Sequence, residues 1–185
     1  MSGRQHFISK ADANPMADLK PLEILLVDDN KQFRSMTAAI LQAAGCRNIR
    51  ESADGASALQ SLQERPCDMA IVDYKMSPID GVEFTRLVRN NTGDLDTFLP
   101  IIMMTGHSAR QKVMAARDAG VTEFVTKPFT AKALLDRIHA VIHNPRPFIR
   151  TENYFGPDRR RKQLPGYVGP LRRKADQDNV LYISE

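Results

Sequence analysis

The sequence predicts an α/β fold built on a doubly wound parallel sheet, and three observations predict it. Short strand-like runs alternate strictly with stretches of helical period, five times between Leu22 and His143. Apolar runs of four to eight residues bounded by turn signals read as buried parallel strands, with no polar alternation to suggest a wet face. Cap residues fall at the joins where the period changes, so local chemistry and global pattern agree. Strand and helix in alternation, joined by right-handed crossovers, give helices on both faces of one sheet.

Taken in order, the first strand is Leu22-Glu-Ile-Leu-Leu-Val27, closed by Asp28-Asp29-Asn30. From Lys31 the period is helical. Phe33, Met36, Ile40, Leu41 and Ala44 share one stripe, and Gly45 suits the C-cap. Arg47 to Glu51 is a short, weak strand, and Asp54 caps a helix carrying Ala58, Leu59 and Leu62. Met69 to Val72 is the third strand; it ends in Asp73, and a turn containing Ser77, Pro78, Asp80 and Gly81 follows at once. Asp80 and Glu83 form a capping box that opens a helix with Phe84, Leu87 and Val88 inward. A polar loop, Asn90 to Thr97, leads to the strand Pro100-Ile-Ile-Met-Met-Thr105. Ser108 and Gln111 make a second capping box for a helix that stops at Gly120. The fifth strand, Val121 to Thr126, runs into Lys127-Pro128, and Thr130 caps a helix bearing Leu134, Leu135, Ile138, Val141 and Ile142.

In sheets of this kind ligands bind at the carboxyl ends of the strands. Asp28 and Asp29 close strand 1, Asp73 strand 3, Thr105 strand 4 and Lys127 strand 5, so all five meet on one rim. An Asp at a strand end also serves as a cap or turn former, which is its commonest use. The company it keeps here argues for chemistry. Two like charges 4 Å apart cost about 4 kcal/mol at an effective dielectric of 20. A hard divalent cation relieves that repulsion, and oxygen-only ligands with an open octahedron suit Mg²⁺. A carboxylate beside such an ion can attack a phosphoryl group while a Lys and a hydroxyl hold its oxygens.

With those residues in place, the stretch from Leu22 to about His143 resembles a two-component response-regulator receiver domain. The acidic pair, the lone Asp, the Thr and the Lys-Pro all occur in the family's order and spacing. The resemblance implies the flavodoxin-like receiver fold, five parallel strands in the order 2-1-3-4-5. It implies Asp73 as phosphoacceptor, with Asp29 binding Mg²⁺ directly, Asp28 mainly through water, and the Lys75 main-chain carbonyl as a further ligand. Thr105 and Lys127 would contact the phosphoryl group, the Lys127–Pro128 bond would be cis, and Thr105 with Phe124 would form the switch pair. The implied partners are a sensor histidine kinase or histidine phosphotransfer protein and a downstream protein target. A chain of this kind is a signalling switch and not an enzyme acting on a separate substrate.

Three positions depart from the family pattern. Met76 is followed by Ser77-Pro78, where Pro commonly follows this Met directly. The Asn90–Leu99 loop is longer than usual, and Phe124 lacks a hydroxyl, so it can report only by burial. The resemblance also implies that Lys75 and His107, two past Asp73 and two past Thr105, would flank the path of an attacking water, neither being suited to orient it, with small Gly106 between Thr105 and His107. A haloacid-dehalogenase-like phosphatase also uses a nucleophilic Asp and Mg²⁺. It needs Asp-x-Asp after its first strand, which Asp28-Asp29-Asn30 does not supply.

Composition bounds the rest. The domain organisation expected is a disordered leader over 1–20, a receiver domain over 21–144, and a Pro/Arg-rich basic tail over 145–185 without a recognisable output domain. No window approaches 18 consecutive apolar residues and no signal-peptide core is seen, so the expectation is a soluble, cytoplasmic chain with no membrane partner. Cys46 and Cys67 make no disulfide framework and read as small core residues in a reducing compartment. From Asn144 onward there are nine basic and five acidic residues; the remainder of the chain carries 17 of each, so the whole net charge of +4 belongs to the tail. Pro145, Pro147, Pro157, Pro165 and Pro170 forbid a long helix there. The favoured reading of the tail is a short segment that docks on a protein surface, with Phe148, Tyr154 and Phe155 as anchors and arginines at the rim. The alternative is a regulator that binds nucleic acid through the basic run Arg159 to Lys174, although nothing supplies base readout.

Overall fold

The computed structural model describes residues 19–106, 110–159 and 181–183, and no side chains at 110–112 or 181–183. The leader up to residue 18, the side chains of the Ser108–Gln111 box, His107, and the basic run from Arg160 to Lys174 lie outside the described residues.

Five parallel strands form the main sheet in the order β2-β1-β3-β4-β5. They are β1 (Glu23–Val27), β2 (Asn48–Ser52), β3 (Met69–Asp73), β4 (Ile101–Thr105) and β5 (Glu123–Thr126). Between and after them run α1 (Lys31–Ala43), α2 (Gly55–Glu64), α3 (Gly81–Arg89), α4 (Arg110–Ala119) and α5 (Ala131–His143). Three of the five helices start at the caps read from sequence, and a fourth starts at Asn30, read there only as the end of the first strand. Asn30, Asp54, Asp80 and Thr130 each accept backbone N–H bonds from the first turn, satisfying donors that would otherwise be orphaned.

The apolar runs have a hidden period of two, because a sheet covered on both sides sends alternate side chains to two cores. Ile24, Leu26, Met69, Ile71, Ile102 and Met104 pack under α1 and α5 with Leu41, Leu134 and Ile138. Leu25, Val27, Ala70, Val72 and Ile101 pack on the other face with Ala58, Leu62, Phe84 and Val88 of α2 and α3. Met103 carries that second face across to Ala116 and Ala119 of α4. Leu19 is fully buried in the first core, although it lies inside the segment expected to be a disordered leader. Both cysteines are free, and burial pushes the Cys67 thiol up to about 11. Among the described residues no helix is long and apolar enough to cross a membrane.

Two helix faces differ from the periodic reading. Met36 and Leu87 are exposed, while Thr37 and Ala38 on α1 and Arg89 on α3 are buried. The Thr37 hydroxyl is satisfied inside its own helix by the Phe33 carbonyl. Arg89 has an outside reason.

Beyond α5 the chain builds a second, antiparallel sheet in the order β7-β6-β8: β6 (Phe148–Thr151), β7 (Tyr154–Pro157) and β8 (Leu181–Ile183). It docks against the long loop after α3 and the turn after α4. Phe98 of that loop, Phe148 and Phe155 form a three-ring cluster with centroids 5.0, 5.2 and 5.6 Å apart. Beneath it Arg89 donates to the carbonyls of Gly120 (3.1 Å) and Thr97 (2.8 Å), with its guanidinium over the Phe148 ring. Burial lowers the Arg89 pKa to about 10, so it stays charged at neutral pH. Gly120 has φ +98°, and a Cβ there would stand 3.1 Å from the Phe155 carbonyl oxygen. The left-handed backbone calls for glycine, and the close approach leaves little room for a Cβ. Arg159 completes the seat, stacked on Tyr154 and paired with Asp118. Phe98 precedes β4 and Gly120 precedes β5, so the second sheet sits at the amino ends of the strands, opposite the Asp73 rim.

Candidate functional site

β1, β3, β4 and β5 end together because they are parallel and in register, Val27 beside Val72, Asp73 beside Met104, and Thr105 beside Thr126. Every site residue named from sequence on those strand ends is therefore at one rim. Carboxylate oxygens of Asp28, Asp29 and Asp73 lie within 4.8 Å of one another; Asp28 and Asp73 are buried and Asp29 is exposed. The Lys127 ammonium reaches both buried acids, 2.6 Å from Asp28 Oδ2 and 2.6 Å from Asp73 Oδ1. Among the described residues one cation thus pairs with the three carboxylates, whose charges it leaves net negative. Burial pushes the Asp73 carboxyl above its ordinary value, and the hydrogen bond and charge of Lys127 pull part of that back.

Main-chain bonds fix these groups. Asn30 N–H donates to Asp28 Oδ1 (2.9 Å) and Lys75 N–H to Asp73 Oδ2 (3.3 Å). Lys127 N–H donates to the Thr105 carbonyl (2.7 Å), tying the Lys backbone to the buried Thr. The Lys127–Pro128 bond is cis, as the resemblance implies, and Ser77–Pro78 is cis as well. Phe124 is half-buried with Tyr74, against Val82, Met103 and Ala116. The Lys75 side chain is exposed.

Three contributors escape a reading by motif. Arg34 donates to the Asp28 carbonyl (2.6 Å) while paired with Glu51 at 3.0 Å, bracing the end of β1. Phe33 lies under Lys127, its ring centroid 4.3 Å from Nζ. Gly81 backs onto the site from α3; a Cβ there would fall 2.3 Å from the Asp73 carbonyl oxygen. That contact is backbone, so Gly81→Ala must displace the end of β3. The expected result is a loss of about 1–3 kcal/mol in a denaturant titration, together with weaker divalent-cation binding. Unchanged stability and cation affinity would show that the turn yields freely.

These strand ends combine a buried carboxylate of raised pKa, a cluster of carboxylate oxygens and a lysine held between two acids. Residues 24–139 match the family model for the response regulator receiver domain, a match that ends within α5. The chain is 32% identical over 120 residues to the chemotaxis protein CheY of Pseudomonas aeruginosa, covering 65% of this chain and 95% of that protein. It is 31% identical over 123 residues to CheY-3 of Vibrio cholerae, covering 66% and 92%. Among solved structures, CheY4 of Vibrio cholerae aligns with a TM-score of 0.60 at 32% identity, over 65% of this chain and 98% of that one. The receiver domain of the Pseudomonas aeruginosa sensor histidine kinase PA1611, solved with a magnesium ion coordinated in its active site cleft, aligns with a TM-score of 0.60 at 28% identity, over 66% and 98%. A matched model over most of the chain, and relatives at 31–32% identity covered over more than nine tenths of their length, lead to one conclusion: this chain belongs to the response regulator receiver domain family.

Proposed function

We propose that this protein is a phosphoacceptor switch in a histidine-kinase phosphorelay, taking a phosphoryl group at Asp73 in a magnesium-dependent step. The observation that carries the reading is the Lys127 ammonium held 2.6 Å from both Asp28 and Asp73 inside a three-carboxylate cluster. A hard divalent cation fits that cluster, since its donors are all oxygens and it stays net negative with Lys127 in place. Asp28, Asp29, Asp73 and the Lys75 main-chain carbonyl would hold it. When bound, magnesium neutralises charge between these carboxylates and the incoming phosphoryl oxygens.

The remaining work falls to the chain. An Asp73 carboxylate oxygen bonds to phosphorus as the P–N bond of a donor phosphohistidine breaks, and the electron pair leaves with the imidazole. Lys127 and the Thr105 hydroxyl hold oxygens of the transferred group. Thr105 moves toward the new charge, and Phe124, already half-buried beside strand 4, fills the space it leaves. The altered surface is read by a protein target. Nucleic acid is the less favoured partner because nothing supplies base readout, and the described arginines of the extension lend it no support: Arg146 meets the Thr122 carbonyl, Arg150 the Phe155 ring and Arg159 Asp118. The described part of the extension acts as a brace at the far end of the receiver.

The test is transfer from a radiolabelled phosphohistidine protein. Label should move to this chain with magnesium and stop moving when EDTA is added. Transfer unaffected by EDTA would refute the metal-dependent reading.

A further inference from the structure

Phe33 has no role in the chemistry described so far, yet it forms the floor of the site. An ammonium has three N–H donors. Asp28 Oδ2 and Asp73 Oδ1 engage Lys127 from one side, and the Phe33 ring covers it from another, its centroid 4.3 Å from Nζ. That distance is well inside the range at which an ammonium is held by the face of an aromatic ring, about 6 Å. The ring is itself fixed. Phe33 N–H donates to Asn30 Oδ1 (3.0 Å) at the head of α1, and the Phe33 carbonyl accepts from the Thr37 hydroxyl (2.9 Å). Its ring meets Phe129 edge-on, centroids 5.7 Å apart at 77°. Phe129 lies two residues beyond Lys127, so the chain that carries the ammonium also carries the ring that steadies its floor.

We infer that Phe33 is a positioning residue for phosphoryl transfer, acting through Lys127; this rests on the function proposed above. A lysine side chain is a point charge on four rotatable carbons, and freezing it costs entropy. Two short bonds to carboxylates hold it in the resting site. Once Asp73 becomes an acyl phosphate, one of those carboxylates is spent and the ammonium must engage a phosphoryl oxygen instead. The ring does not ionise or move with the reaction, so it keeps the ammonium at the rim through that exchange. Phe33 touches no reacting atom.

Phe33→Leu removes the π face while keeping an apolar side chain; Phe33→Tyr keeps the face. With acetyl phosphate and saturating magnesium, the labelling rate constant of Phe33→Leu should fall about five- to thirty-fold and that of Phe33→Tyr should stay within about two-fold of wild type. Magnesium affinity, measured separately, should change little in either, because neither substitution alters a carboxylate. Independently of activity, the Lys127 side-chain protons should show upfield ring-current shifts that vanish in Phe33→Leu. Labelling of Phe33→Leu at the wild-type rate, or an equal loss in Phe33→Tyr, overturns the inference and leaves the proposed function standing. A wild-type protein that takes no label overturns both.

Discussion

Lys127→Met should destabilise the protein by about 3 kcal/mol in EDTA at pH 8, one of the largest effects of any single substitution at the rim. Lys127 is the cation between Asp28, whose side chain is fully buried, and Asp73, whose side chain is 11% exposed. Removing one partner of a buried pair leaves the other's charge uncompensated, and here it leaves two like charges facing each other. The effect has a definite pH dependence. Asp73 already has a raised pKa in the folded protein, so folding favours its protonated form. Its contribution to stability is therefore present at low pH and lost as pH rises through the raised value. Without Lys127 that value rises further, so the gap between variant and wild type should widen from pH 5 to pH 8, and millimolar magnesium should narrow it. Urea titrations at the two pH values check this. An equal gap at both would mean that the ion pair carries no charge burden.

The second large effect lies at the other end of the sheet. A double substitution, Phe148→Ala with Phe155→Ala, should lower the melting temperature by about 6–12 °C, as expected for a loss of about 3 kcal/mol in a chain of this size. Each Phe→Ala change in a packed core costs about 3–5 kcal/mol. The total here is capped by the docking energy, because the second sheet can come away as a unit. Undocking also strips Phe148 from Arg89, whose buried guanidinium already has an Nη2 with no hydrogen-bond partner. Phosphoryl labelling should persist, since the rings sit at the amino ends of β4 and β5 and Asp73 at a carboxyl end. A melting curve that matches wild type would show that the extension contributes no stability to the receiver.

Much of the rim was legible in the sequence because strand ends are short-range facts. A buried run such as Met69–Val72 followed by Asp73 and a turn says where the strand stops, and parallel topology then gathers such ends without further information. Three helix starts were legible for the same reason: Asp54, Asp80 and Thr130 bond donors within their own first turn. What escaped depends on partners remote in the chain. Arg89 reads as a surface residue at the end of a helix, and only the loop carrying Thr97 and the extension carrying Phe148 explain its burial. The unusual length of Asn90–Leu99 and the aromatics of the extension are each visible in the sequence. That Phe98 joins them across some fifty residues leaves no periodic trace in either segment. Leu87 fell on the inward stripe by spacing, but the turn of α3 that buries Phe84, Val88 and Arg89 leaves it in solvent.

The central claim is that Asp73 is the phosphoacceptor, and intact-mass spectrometry tests it most directly. Wild-type protein and Asp73→Asn would each be incubated with acetyl phosphate and magnesium, then weighed before the acyl phosphate hydrolyses. The account predicts that wild type gains the mass of a single phosphoryl group and that Asp73→Asn gains none. Undiminished labelling of Asp73→Asn would contradict it.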